Sequence, residues 1–191
     1  MRYTGNVSFL KHVRLGSEVP SASPGVSRAA VAAVFGPENE LLFIHRAERA
    51  GDIWSGHMAF PGGREEPTDA SLQATAVRET LEEIGLDLSV ARCHGALSAL
   101  HSPRNSVVKP LEVLPWVFEV DEWPELRPNA EVASVVRFDF RRFLAREARG
   151  SFEYVWQGTP LQLPCVRLDG TLLWGMTLRM VDELVERVEA R

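Results

Sequence analysis

Residues 60–86 read FPGGREEPTDASLQATAVRETLEEIGL, and the run Arg78-Glu79-Thr80-Leu81-Glu82-Glu83-Ile84-Gly85 inside them decides how the chain is read. A helix turns roughly 100° per residue, so Glu79, Glu82 and Glu83 fall on one stripe of it. Ala70, Ala74, Val77, Leu81 and Ile84 fall on the opposite side and predict a core-facing seam. Acids at i, i+3 and i+4 cost an isolated helix about 0.2–0.5 kcal/mol per like-charge pair. A solvated acidic face would account for the glutamates alone. The segment in front outweighs that reading. Pro61-Gly62-Gly63 is a turn whose glycines let backbone approach a ligand or metal. Thr68 or Asp69 then supplies an N-cap, and Gly85 a C-terminal stop. Loop, capped helix, acid stripe and terminating glycine describe a site, and three carboxylates suit a hard divalent cation such as Mg²⁺.

The chain has 191 residues, enough for one domain with a substantial core, and its 45% hydrophobic and 25% charged content is that of a globular protein. No apolar run approaches the ~20 residues of a membrane span. The opening MRYTGNVSFLKHVRLGSEVP lacks the continuous apolar stretch of a secretory signal, so a cytoplasmic location is expected. Cys93 and Cys165 are too few for a disulfide framework and read as buried thiols. A formal charge of −5 argues against general nucleic-acid binding. An anionic small-molecule substrate stays open, with metal ions and a few placed arginines supplying the attraction.

Outward from the decisive stretch, residues 28–35 read as a buried strand and 41–44 as a second that closes a hairpin with it. Residues 91–100 and 111–120 are strand candidates flanking the loop HSPRNSVVKP, and 132–138 is another, followed by a helix near 139–148. Short strands are expected at 152–156, 161–167 and 170–173. Residues 175–191 form a closing helix with Met176, Met180, Leu184 and Val188 on one face. Residues 1–27 read as an irregular N-terminal arm. Strands and helices in this order suit an α+β fold with a mixed sheet rather than repeated βαβ units.

The stretch from Gly63 to Leu86 resembles the Nudix box, G-x5-E-x7-R-E-U-x-E-E-x-G-U with U a bulky aliphatic. Gly63, Arg78, Glu79, Glu82, Glu83, Gly85 and Leu86 occupy its positions, with Leu81 an approximate match. Asp69 stands at the upstream acid position, one extra residue separates Gly63 from Arg78, and Thr80 replaces the bulky aliphatic. The lead-in Gly62-Gly63-Arg64-Glu65-Glu66-Pro67-Thr68-Asp69 is similar to that of the coenzyme A pyrophosphatase-like branch. Arg28-Ala29-Ala30-Val31, Glu131-Val132 and Leu173-Trp174-Gly175-Met176-Thr177 extend the likeness over nearly the whole chain. Before the box the likeness lapses: Asp52 and Trp54 stand where that branch carries basic and imidazole groups.

The resemblance implies a single Nudix domain over residues 1–191, an αβα sandwich, and Mg²⁺- or Mn²⁺-dependent hydrolysis of a nucleoside diphosphate linked to another moiety. Its nearest substrate is coenzyme A or an acyl derivative, giving 4′-phosphopantetheine and adenosine 3′,5′-bisphosphate. Nucleotide sugars, nucleoside triphosphates and dinucleotides are the alternatives, and a non-catalytic ligand-binding domain is a third. Glu79, Glu82 and Glu83, with the Gly63 carbonyl, are the implied metal ligands, and Arg78 holds a glutamate in place. Glu82 or the later Glu131 is the candidate to activate water. Glu112 and Glu119 are further acids, and Ser134 stands where many relatives carry one. Arg46, Arg104, Gly62 and Gly63 are the candidate substrate contacts, with Lys109 a further loop cation. His57 and His101 are candidates to meet base or phosphate, and Trp54 and Trp116 to stack on adenine. The expected partner is a nucleotide-type small molecule, with no nucleic acid or membrane; a homodimer is compatible with the resemblance.

Overall fold

A computed structural model describes residues 9–13, 15–16, 25–51, 54–102 and 110–190. Strand β1 (Ser27–Phe35) turns through a 3-10 segment at Pro37–Asn39 into β2 (Glu40–Arg46). Two short strands follow, β3 (Met58–Ala59) and β4 (Gly62–Arg64), then helix α1 (Leu72–Ile84). Next come β5 (Arg92–Ala96), β6 (Leu100–His101), β7 (Leu111–Glu119), β8 (Val132–Asp139) and α2 (Phe140–Leu144). The chain closes with β9 (Arg149–Trp156), β10 (Thr159–Leu168), β11 (Thr171–Trp174) and α3 (Gly175–Glu189).

β1 and β7 pair in parallel from Ser27 opposite Leu111 to Phe35 opposite Glu119, while their neighbours pair antiparallel, so the eight-stranded sheet is mixed. β9, β10 and β11 form a second, antiparallel sheet. Side chains alternate across a strand, and β1 feeds two cores. Ala29, Ala33 and Phe35 join Phe43, Val117 and the α3 residues Leu178, Val181, Leu184 and Val188 on one face. Ala30, Ala32 and Val34 join Leu42, Ile44, Phe118 and the α1 residues Leu72, Ala76 and Ile84 on the other. This is the α+β sandwich expected from the sequence. Among the described residues, no helix is long and apolar enough to cross a membrane. Cys165 is buried and Cys93 half-buried, and both are free thiols.

Several expectations are corrected. The β1–β2 hairpin pairs only at Phe35 opposite Leu41 before the strands part. The segment leading to α1 fills the gap, β3 pairing with β2 and β4 with β1. The long strand at 91–100 is bulged between Cys93 and Gly95, where the register with β7 shifts and Gly95 takes φ 120°; it ends at Ala96 and resumes as β6. The helix after β8 stops at Leu144 because Arg146 and Ala148 take left-handed backbone at φ 55° and 53°. Within the N-terminal arm, Phe9–His12 forms a 3-10 turn whose Phe9 and Leu10 are buried, tied by the Phe9 N–H to Asn39 Oδ1 at 3.0 Å.

Helix α1 is rotated from its predicted seat. Leu81 is 48% exposed, Ala70 is exposed, and Ala74 and Val77 are only half-buried. The buried line runs through Leu72, Thr75, Ala76, Thr80, Glu83 and Ile84. Apolar counting assigns Glu83 to the solvent side. The helix instead turns that acid inward, where the Gly62 N–H at the start of β4 receives it.

Candidate active site

Ser71 caps α1, its Oγ accepting the Ala74 N–H at 3.1 Å, in place of the expected Thr68 or Asp69. Asp69 has another task. Its carboxylate accepts the Glu66 N–H and the Thr75 hydroxyl, each at 2.9 Å, and takes Nε and Nη2 of Arg78 in a bidentate pair at 2.9 Å. Arg78 beside it holds the Asp69 carboxyl far below the usual carboxylate range. From that clamp Arg78 reaches Glu79 Oε1 at 3.0 Å, Glu82 Oε2 at 3.3 Å and the Arg64 carbonyl at 3.0 Å. One guanidinium thus fastens loop, helix start and two of the three acids, and the expected positioning contact of Arg78 is present.

Gly85 ends the helix as expected, at φ 71° with its N–H on the Leu81 carbonyl. The next unsatisfied carbonyls are received by a distant segment. Asn129 donates its backbone N–H to Glu83 O at 2.8 Å and its Nδ2 to Glu82 O at 3.0 Å, and Arg127 N–H reaches Ile84 O at 2.8 Å. Asn129 Oδ1 accepts the Glu131 N–H at 2.8 Å, so Glu131 is held against the end of the acidic helix.

The three acids differ in surroundings. Glu83 is 3% exposed and its Oε2 accepts the Gly62 N–H at 2.8 Å. Burial pushes its carboxyl up to about 7; the Gly62 N–H and the Arg46 charge oppose the shift, and the charges of Glu79 and Glu131 add to it. Burial also raises Glu79, with Arg78 opposing and Glu82 and Glu66 adding. The Glu82 side chain is 55% exposed. Gly62 lies at φ 148°, where a Cβ would stand 2.3 Å from the Ala30 carbonyl oxygen, so a side chain there is barred by β1.

A NUDIX domain model matches residues 26–156. The chain belongs to the Nudix family. As a Nudix hydrolase it is a pyrophosphohydrolase, of a family whose members generally need a divalent metal ion. The "uncharacterized Nudix hydrolase NudL" of Yersinia pestis is 29% identical over 152 residues, covering 80% of this chain and 74% of that protein. The Schizosaccharomyces pombe protein C14C4.10c is 46% identical over 113 residues; the match covers 57% of this chain and only 34% of the yeast protein. The NUDIX domain of Shewanella oneidensis NrtR, solved with ADP ribose, shares the fold at a TM-score of 0.57 and 14% identity, over 90% of this chain and 94% of that one.

The residues fit a metal of that kind in donor chemistry. Glu79 and Glu83 offer carboxylate oxygens that burial raises above their ordinary range, and the Glu79 charge adds to the shift of Glu83, which a nearby cation would oppose. A Cβ on Gly63 would fall into the Glu79 carboxylate, so the glycine leaves that cradle open. Among the described residues no three His, Cys, Asp or Glu side chains form a ready cage.

The other candidates of this Nudix chain sort by position. Arg46 ends β2 on the α1 side of the sheet, near enough for its charge to oppose the shift of Glu83. Glu131 is exposed and pairs with Arg49 at 3.0 Å. Arg104, Lys109 and Asp52 lie outside the described residues. His101 pairs with the buried Glu112 at 3.2 Å, and Glu112 with Arg28 at 3.5 Å. Glu119 is taken by His94 at 2.8 Å and Arg92 at 3.3 Å. Trp116 is 7% exposed within the α1-side core and is not open to stack on adenine. Trp54 packs against the α3-side core, and Ser134 lies on β8 opposite His45. Sequence reasoning missed Arg49 and Asn129. Asn129 carries a legible signal two residues before Glu131, but its contact with α1 joins positions 47 residues apart and leaves no trace in local spacing.

Proposed function

We propose that this Nudix hydrolase cleaves the diphosphate of coenzyme A or an acyl derivative, using Mg²⁺ or Mn²⁺, and that residues 1–191 act as one unit. The observation that carries the reading is the Asp69–Arg78 clamp. It gives a structural use to the lead-in Gly62–Asp69, the stretch in which this chain is similar to the coenzyme A-type branch. The metal, when bound, neutralises phosphate charge and lowers the pKa of a bound water.

The chain's own residues supply the rest. Glu79 and Glu83, with the Gly63 carbonyl, hold the metal, and Arg78 fixes Glu79 through its 3.0 Å contact. Glu82 is open to solvent on one side and tethered to Arg78 on the other, so it suits a water-orienting role. Glu131, steered by Arg49 and Asn129, is the second acid able to take the water proton. Water attacks phosphorus, the bridging P–O bond breaks, and the phosphate group that departs keeps the electron pair. Arg46 is suited to pair with the diphosphate oxygens in the metal-loaded site.

The test is incubation with coenzyme A, ADP ribose, a nucleotide sugar and a diadenosine polyphosphate, each with Mg²⁺ or Mn²⁺ in ¹⁸O-water, with products read by mass. Preferential release of 4′-phosphopantetheine and adenosine 3′,5′-bisphosphate supports the proposal. Efficient cleavage of nucleotide sugar or ADP ribose with coenzyme A left intact overturns the substrate. Glu82→Gln and Glu131→Gln separate the base: the true base loses on the order of 10²–10⁴ in kcat, the other far less.

A further inference from the structure

Where β1 begins, charged residues from four neighbouring strands form one row across the sheet. Glu65 follows β4, Arg28 lies on β1, Glu112 on β7 and His101 on β6. Arg28 and Glu112 are register partners, as are Glu112 and His101, and the Glu65 N–H donates to the Arg28 carbonyl at 3.0 Å. The side chains meet in the same order. Arg28 Nη1 lies 3.6 Å from Glu65 Oε1, Arg28 Nε 3.5 Å from Glu112 Oε1, and His101 Nε2 3.2 Å from Glu112 Oε2. Alternation along β1 and β7 puts Arg28 and Glu112 on the α1 side, in line with Ala30 and Leu114.

The centre of the row is poorly made as a stabilising contact. Glu112 is buried, and neither Arg28 Nε nor Glu112 Oε1, both buried atoms, makes a hydrogen bond among the described residues. Their separation gives charge attraction without a hydrogen bond. Taking two charges out of water costs much of what their attraction returns, and an apolar pair of like volume is often as stable or more so. What Arg28 and Glu112 supply beyond that is direction: Glu112 fixes which way the Arg28 guanidinium points.

That direction leads to the acid helix. Arg28 holds Glu65 twice, by its carbonyl and by its guanidinium. Glu65 is the middle of the run Arg64-Glu65-Glu66, and both neighbours serve the Asp69–Arg78 clamp. The Arg64 carbonyl accepts Arg78 Nη2 at 3.0 Å, and the Glu66 N–H donates to Asp69 at 2.9 Å. Arg78 in turn reaches Glu79 at 3.0 Å. A buried acid on β7 is thus joined, through one arginine on β1, to the carboxylate proposed to hold the metal.

We propose that Arg28 and Glu112 are positioning residues of the reaction, a strut from β7 through β1 that sets the loop before α1 beneath Arg78. The inference rests on Glu79 holding the metal. Its first test needs no turnover. Arg28→Met combined with Glu112→Leu removes both charges together, so the melting temperature is expected to stay close to the parent's. Glu112→Gln, which keeps the shape, is the second variant. Hydrogen exchange is read by mass on the full chain without metal. Amides of residues 64–69 are expected to exchange roughly two- to tenfold faster in the double variant, a loosening the size of one hydrogen bond, and less so in Glu112→Gln. Amides of α3 are expected to keep the parent's rates. The Mn²⁺ needed for half-maximal hydrolysis, of whichever diphosphate compound the parent cleaves, is expected to rise about tenfold with KM for that compound little changed. Parental exchange at 64–69 in both variants overturns the strut. So does faster exchange throughout the chain, for the pair then serves stability alone. So does a Mn²⁺ requirement that Glu79→Gln raises and the double variant does not. If Glu79→Gln leaves that requirement unchanged, the metal role of Glu79 falls, and faster exchange confined to 64–69 upholds the strut by itself.

Discussion

A Cβ atom on Gly63 would stand 2.4 Å from both Cδ and Oε1 of Glu79. No real Cβ approaches a carboxylate so closely, so Gly63 is a glycine because Glu79 occupies the space beside it. The pairing joins the loop to the acid helix at the point where the metal is proposed to sit.

Gly63→Ala is therefore expected to push the Glu79 carboxylate off its seat. A displacement of about 1 Å at a catalytic group costs on the order of 10²-fold in rate. The variant should need much more Mg²⁺ for half-maximal activity and keep a melting temperature close to the parent. Steady-state kinetics across a Mg²⁺ series measure this; unchanged metal dependence would remove Glu79 from the metal.

The Asp69–Arg78 pair predicts coupling. Arg78→Lys keeps the charge but loses the planar fork that serves Asp69, Glu79, Glu82 and the Arg64 carbonyl together. Asp69→Asn leaves Arg78 without its bidentate partner. In a double-mutant cycle the two changes are expected to overlap by about 0.5–3 kcal/mol in unfolding free energy. Strict additivity would mean that the clamp contributes nothing as a unit.

Glu83 predicts how pH acts on the metal-free protein. Its carboxyl in the fold stands at about 7, above the ordinary value of 4.5, because burial disfavours the charge. The fold therefore prefers the protonated form. The stability linked to this group is fully present below pH 4.5 and is lost as pH rises through about 7. In EDTA, Glu83→Gln should melt progressively higher than the parent between pH 5 and pH 8. Mg²⁺ should raise the parent at pH 8 and leave the variant nearly unmoved. A pH-independent offset between the two would contradict this.

Thr80 stands where related boxes carry a bulky aliphatic, and it is fully buried with its hydroxyl on the Ala76 carbonyl at 2.7 Å. That carbonyl already has the helical partner its position provides, so the hydroxyl is dispensable. Thr80→Val is expected to be neutral or stabilising by up to about 1 kcal/mol, with activity retained. Chemical denaturation measures it, and a loss above that size would show that the hydroxyl serves the site.

The amino-acid sequence by itself determined that a helix ended by Gly85 carries the acids, that strands surround it in an α+β order, and that the acids follow a glycine turn. These features are local: periodicity, caps and glycine positions act within a few residues. It did not determine which side of α1 faces the core. Counting apolar residues seats Leu81 inward and Glu83 outward, and the structure does the reverse. The Gly62 N–H, delivered by a strand clamped to β1, makes burial of an acid tolerable, and no local pattern records that donor. The same holds for Asn129 on the end of α1 and for the charged row through Arg28 and Glu112. Each joins residues far apart in the chain, brought together by sheet register, and register is a property of the packed whole.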